Sequence, residues 1–294
     1  MPCYHPNPAW RTRSGELTLK PGQGVGFQLL LPCGNCIGCR MQRSRETAVR
    51  CMHEARMHND NNAFITLTYD DQHLPADHSL HKEDFQKFMK RLRKWHGGKL
   101  LYLMCGEYGE TKSRPHFHAL LFGCDFPDKT PWRKSRGHTI WRSQVLEKLW
   151  TFGYSEIGSV TFQSAAYVAR YVLKKQSGPR VYEYTDPATG EVHKLLPEFT
   201  TRSLKPGIGE SWFRAYKSDV YPHDFCVVKG TKVRTPRFYD VLLERYHGEA
   251  ELLRVKRDRI KKAYKYKDDQ TPERLAVREK VQASQIKLLK RTLD

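Results

Sequence analysis

An α+β fold built on an antiparallel sheet is predicted by three stretches of the chain. Residues 63–69, Ala63-Phe64-Ile65-Thr66-Leu67-Thr68-Tyr69, have the β-branched and aromatic content of a strand. Residues 82–95 carry Phe85, Phe88, Met89, Leu92 and Trp95 at helical spacing, closed by Gly97-Gly98. Residues 115–122 place His116 and His118 on one face of a strand and Phe117, Ala119 and Leu121 on the other, because side chains alternate with period two.

The elements then follow in order. Residues 1–32, rich in Pro and Gly, read as an irregular arm with one strand at 26–31. Residues 40–58 form an Arg-rich helix that Asn59, Asn61 and Asn62 end. After the strand at 63–69 and the helix at 82–95 come a strand at 100–107, a turn through 109–114 and the histidine strand. Residues 141–152 read as helix, 154–162 as strand and 163–176 as helix. The order β-α-β-β-α-β plus a helix is the ferredoxin-like or RRM-like unit, an antiparallel sheet with helices on one face. Its first and third strands are central, which puts the histidine strand mid-sheet with a free face. Residues 1–60 are thus an arm with a Cys-rich loop and a basic helix, 61–178 the core, 179–247 an extension and 248–294 a tail. In the extension, strands at 180–183 and 192–195 flank a turn-rich segment, a loop runs through 203–209, and a helix starts at 210. The tail has helical patches at 251–264 and 271–291 and reads as a solvated charged helix rather than a binding arm.

The charge is lopsided, 51 Lys and Arg against 32 Asp and Glu, or +19. A chain that repels itself to this degree usually has a polyanionic partner, and fifteen Tyr and thirteen Phe offer stacking faces for bases. Apolar runs are too short for a transmembrane helix, and no basic segment followed by an apolar stretch marks a secretory signal. No partner in the membrane is expected.

Among eight cysteines, Cys33, Cys36 and Cys39 stand at C-x2-C-x2-C, the least accidental spacing in the chain. Gly34 and Gly38 would let this loop fold around an ion. Tetrahedral zinc needs a fourth ligand, with Cys3 the first candidate and His5 the second. Reduced cysteines in a tight turn and an iron–sulfur site are the other readings.

Two imidazoles on one strand face make a metal seat when a carboxylate lies nearby. In residues 163–175, Tyr167 and Tyr171 are four apart and share a helical face, with Arg170, Lys174 and Lys175 around them. A phenol titrates near pH ~10, so a neighbouring lysine that favours the phenolate and a divalent ion that polarises a phosphate would let it attack a phosphodiester. The product, a phosphotyrosine, stores the bond energy for rejoining. Either pair alone is common by chance; together they describe one chemistry.

Phe64-Ile65-Thr66-Leu67-Thr68, the histidine strand and Tyr167-Val168-Ala169-Arg170-Tyr171-Val172-Leu173-Lys174 resemble the three motifs of HUH endonucleases that initiate rolling-circle replication. The cysteine cluster, Cys105-Gly106-Glu107-Tyr108-Gly109 and Lys205-Pro206-Gly207-Ile208-Gly209 look more closely like the replication initiators of gokushoviruses, single-stranded DNA phages of the Microviridae. The resemblance covers residues 1–240. It implies a nick in single-stranded DNA at the viral origin, made by Tyr167 or Tyr171 with help from Lys174, in the host bacterial cytoplasm. A host DNA polymerase would extend the 3′ end, and a second cut and join would release a circle. It implies a third metal ligand beside His116 and His118, for which Glu107 is preferred over Glu110, and an ion that is magnesium or manganese. Arg170, Lys175, Thr66 and Thr68 are then expected to touch DNA. No G-x4-G-K-[ST] occurs, so strand separation would need a host helicase.

Three rivals differ. A zinc deaminase needs H-x-E before P-C-x-x-C, and here Pro32-Cys33 precedes His81-Lys82-Glu83. A non-catalytic single-strand binder with a structural zinc explains charge and cysteines but leaves histidines and tyrosines idle. A transposase would share the chemistry.

Overall fold

The computed structural model describes residues 3–14, 16–59, 61–109, 113–135, 137–174, 182–185 and 189–288, with 26, 27, 171–174 and 182 by backbone alone. The chain divides into two compact units: residues 1–43 with 250–292, and residues 44–249 with the last two residues. The class is α+β, with antiparallel sheets and eight α-helices among the described residues.

The first unit opens with β1 (Asn7–Arg11), β2 (Leu17–Thr18) and β3 (Val25–Leu31), an antiparallel sheet in the order β2-β1-β3. Only β3 was expected. β1 is short, contains Pro8 and is held by pairing with residues 25–31, a long-range pairing that local composition does not announce. Helix α1 (Ile37–Arg56) begins in this unit and continues into the second.

In the second unit, β4 (Asn62–Tyr69) alternates half-buried and buried residues without a break, the signature of a strand with two different faces. Helix α2 (Lys82–His96) buries Phe85, Phe88, Met89 and Leu92, each worth roughly 1.5–3 kcal/mol of transfer. Gly97, at φ 71°, ends it by donating its N–H to Arg93 O. β5 (Leu101–Tyr108) and β6 (Pro115–Phe122) follow. Next come β7 (Thr130–Ser135), β8 (His138–Arg142), α3 (Gln144–Leu149), β9 (Gly153–Gly158) and α4 (Phe162–Lys174). The expected helix at 141–152 is corrected here: Trp141 and Arg142 belong to a strand, and the helix is one and a half turns capped by the Ser143 hydroxyl, which accepts from Leu146 N.

β10 (Tyr182–Thr185) pairs with β11 (Val192–Leu195), as the hairpin reading anticipated. β12 (Phe199–Arg202), α5 (Glu210–Val220), β13 (Phe225–Val228), β14 (Thr231–Arg234) and α6 (Arg237–His247) complete the unit. The loop at 203–209 has a structural use: Gly209 at φ 82° donates its N–H to buried Glu54 of α1 at 2.6 Å. The first unit then closes with α7 (Glu249–Tyr264) and α8 (Pro272–Leu288).

The main sheet has seven strands in the order β12-β5-β6-β4-β9-β8-β7. Its four middle strands take the expected order, with β4 and β6 central and antiparallel. One face packs Ile65, Leu67, Phe117 and Ala119 against α2 and α3. The other face is not free as expected. Leu103, Cys105, Leu120 and Phe122 are buried there beneath Ala48 and Cys51 of α1 and Ala165 and Val168 of α4. Since α4 touches β5, β6 and β12, the β4–β9 half of that face stays more open, and Tyr154 is 61% exposed.

Among the glycines of this sheet, Gly153 lies nearest to neighbouring backbone. It sits at φ 142°, and a Cβ there would stand 2.3 Å from Asp70 N and 2.6 Å from Thr68 O. Gly153→Ala is therefore expected to cost about 2–4 kcal/mol in denaturant unfolding, since the obstruction is the backbone of residues 68–70 rather than a flexible side chain. A loss under 0.5 kcal/mol would show that β9 relaxes away from β4.

Candidate active site and metal centres

Strand alternation builds the first centre. Register sets Glu107 of β5 opposite His116 of β6, and His116 opposite Thr68 of β4; one row further, Cys105, His118 and Thr66 are aligned. All these side chains rise on the face that α4 partly covers. Glu107 Oε1 lies 3.0 Å from His116 Nε2 and 2.9 Å from His118 Nε2, and Glu107 is 1% exposed. Tyr167, on α4, donates its hydroxyl to the same oxygen at 2.6 Å and sets its ring edge-on to His118.

The second nitrogens fix the rings. His116 Nδ1 lies 3.0 Å from the Arg114 carbonyl, which can only accept, so Nδ1 carries a proton and Nε2 is the atom presented to Glu107. His118 Nδ1 lies 2.9 Å from Thr66 Oγ1. Such outer partners are what orient metal-binding imidazoles. Burial would raise the Glu107 carboxyl, but hydrogen bonds from His116 and His118 and their charge outweigh it and hold it well below the usual range. Its Oε2 is buried with no hydrogen-bond partner among the described residues. Two imidazole nitrogens, an ionised carboxylate and an unanswered oxygen converge, a donor set that could hold a divalent cation once the nitrogens give up their protons to it.

The second centre lies in the first unit. The sulfurs of Cys3, Cys33, Cys36 and Cys39 all stand within 4.8 Å of one another. Gly34, at φ 80°, makes the turn, whereas Gly38 is already helical. Backbone N–H groups of Tyr4, Cys33 and Cys36 donate to Cys36, Cys3 and Cys33 Sγ at 3.2–3.4 Å. Burial raises the Cys36 thiol, but the Tyr4 N–H and the neighbouring cysteines bring it down to about 7; burial pushes Cys3 and Cys39 up. Four sulfurs around a tetrahedral ion with ~2.3 Å bonds would be about 3.8 Å apart, so the cluster fits zinc. His5, the alternative fourth ligand, instead reaches Glu279 at 2.7 Å.

The other expected residues fall as follows. Arg170 is exposed with its guanidinium 5.5 Å from the Tyr167 ring centre. Tyr171 and Lys174 are in α4, described by backbone alone, one and two turns beyond Tyr167. Lys175 and Glu110 lie outside the described residues. Sequence reasoning missed Arg114, whose carbonyl holds His116 and whose guanidinium bonds Tyr69 O and Asp71. A backbone carbonyl leaves no trace in side-chain identity.

Residues 62–176, which hold both halves of the first centre, match the family described as Replication-associated protein ORF2/G2P. The chain is 36% identical over 262 residues to Replication-associated protein VP4 of Bdellovibrio phage phiMH2K, covering 85% of this chain and 79% of that one. It is 32% identical to Replication-associated protein ORF2 of Spiroplasma virus 4, over 79% of this chain and 74% of the relative. It is 31% identical to Replication-associated protein ORF4 of Chlamydia phage 1, over 76% and 56%. No solved structure matches.

Proposed function

The chain belongs to the family of replication-associated proteins that these phage and viral relatives represent, and on that premise we propose that it is a site-specific single-strand DNA endonuclease and ligase of the HUH type. It would start and end rolling-circle replication of a small single-stranded DNA phage in the host bacterial cytoplasm. One observation carries the reading: the Tyr167 hydroxyl and the His116 and His118 nitrogens meet on one buried oxygen of Glu107. The β5-β6-β4-β9 order supports a ferredoxin-like core.

The roles follow from position. Glu107, His116 and His118 would hold magnesium or manganese, which supplies Lewis-acid polarisation of the scissile phosphate. The Tyr167 oxygen attacks phosphorus, the bond to the 3′ oxygen breaks, and the 3′-hydroxyl leaves with a proton. The 5′ phosphate stays on Tyr167, so no bond energy is lost, and a later 3′-hydroxyl reverses the step to close a circle. Tyr171, one turn on, would take the second strand, with Lys174 favouring the phenolate. Arg170, Lys175, Thr66 and Thr68 would contact the strand. A host helicase and DNA polymerase complete the cycle.

The test is a covalent adduct. Labelled origin-containing strand, mixed with the protein and manganese or magnesium, is expected to give a metal-dependent protein–DNA band on a denaturing gel. Binding without an adduct would move the chain to the non-catalytic reading.

Cys3, Cys33, Cys36 and Cys39 would hold a structural zinc. About one zinc per chain is expected by elemental analysis, and chelation should lower the melting midpoint by about 5 °C or more. Cys36→Ser should lose the metal. A zinc-free protein with an unchanged midpoint would sink this site.

A further inference from the structure

Positive charge is unevenly shared between the two units. Residues 1–43 and 250–292 contain nineteen lysines and arginines against seven carboxylates, so this smaller unit holds twelve of the nineteen net charges. Most of the excess is in one place. Residues 254–267 carry Arg254, Lys256, Arg257, Arg259, Lys261, Lys262, Lys265 and Lys267, with Asp258 the one acid.

Helix α7 buries Leu252 and Val255 near its start. Beyond Val255 the helix meets solvent on nearly every side: Lys256, Arg257, Lys261 and Lys262 are exposed, and Ile260 is 69% exposed. At 100° per residue the cations from Lys256 to Lys262 point to all quarters of the helix rather than to one stripe. Arg257 and Lys261 are like charges at i and i+4, and Arg259 and Lys262 at i and i+3, pairings that weaken an isolated helix. A helix crowded with exposed cations gains most when a polyanion surrounds it.

We propose that α7 is a duplex DNA-binding helix, seated in the major groove with Lys256, Arg257, Lys261 and Lys262 reaching phosphates on both walls. The groove is about 12 Å wide and a helix with its side chains about 10–12 Å, so one rod fits the other. Cations at every bearing suit two facing walls of phosphate. A single strand would use one side of the helix and would ask for a row of stacking rings, whereas the exposed rings here, Tyr264 and Tyr266, come only at its end. The contacts are to backbone phosphates and are independent of sequence. The assignment goes beyond nicking and stands whether or not Tyr167 is a nucleophile.

The experiment uses the full chain. Fluorescence anisotropy measures its affinity for a 30-base-pair duplex of unrelated sequence, chosen as an arbitrary length of about three helical turns, and for one strand of that duplex. The comparison is with the K256Q/R257Q/K261Q/K262Q variant, checked by circular dichroism. Duplex affinity is expected to fall tenfold or more near ~0.15 M salt, and the slope of log K against log salt to lose about 0.9 per contact, or roughly 3–4 in all. Single-strand affinity should change less than about twofold on that scale, and the K256R/R257K/K261R/K262R variant should retain duplex binding. Equal losses on duplex and single strand, or duplex binding unchanged, would overturn the proposal. So would loss of binding to vesicles of anionic phospholipid with duplex binding intact, which would make α7 a membrane-surface helix.

Discussion

Tyr167→Phe is expected to remove the covalent adduct and lower nicking by at least about three orders of magnitude, the scale of losing a catalytic nucleophile. The variant keeps the ring that lies edge-on to His118 and loses only the hydroxyl on Glu107 Oε1. A single hydrogen bond to a charged group is worth roughly 1.5–3 kcal/mol, so folding should survive and single-strand binding should be little changed. Tyr171→Phe is the informative partner. It should still form the first adduct but fail to release a closed circle, because the second strand needs a second phenol. If Tyr167→Phe retains full adduct and Tyr171→Phe loses it, the two tyrosines exchange roles. If both singles and the double retain it, the nucleophile lies elsewhere.

Glu107→Gln should have the second largest effect, a loss of about a hundredfold or more in metal-dependent nicking with weaker manganese binding by calorimetry. Glutamine keeps the shape and one acceptor oxygen but removes the charge that faces two imidazoles. The buried Oε2, unpartnered among the described residues, becomes an amide or stays unanswered. Excess manganese should recover part of the activity, since affinity rather than geometry is the main loss. Unchanged manganese titration with lost nicking would assign Glu107 to the tyrosine and not to an ion.

These centres were legible because their signals are local or periodic. His116 and His118 declare a shared face by period two, Tyr167 and Tyr171 by helical spacing, and the cysteine triple by its rarity. Glu107 was nearer to an inference, since it depended on hairpin register across a turn. The fold was legible where a segment's own pattern decides it, as in α2. It was not where pairing decides it. β12 joins the sheet edge beside β5, about a hundred residues earlier, and β7–β8 were lost because Trp141 and Arg142 suit a helix start as well as a strand. The covering of one face by α1 was equally invisible: Ala48 and Cys51 look like any small residues of an amphipathic helix until the sheet beneath them is known.

The first unit is assembled from residues before 44 and after 249, with the second made between them. Its small core joins Cys3, Cys36 and Cys39 to Leu275 of α8, which a ribosome reaches about 236 residues after Cys39. At roughly 5–20 residues per second, that interval is on the order of 10–50 s. The four thiols therefore wait, with their cover unmade, while the second unit is already threading its sheet. An ion captured early would give the arm a fixed shape during that wait and leave α8 to dock last, and the cysteine cluster would then act as a nucleus for the unit rather than a late staple.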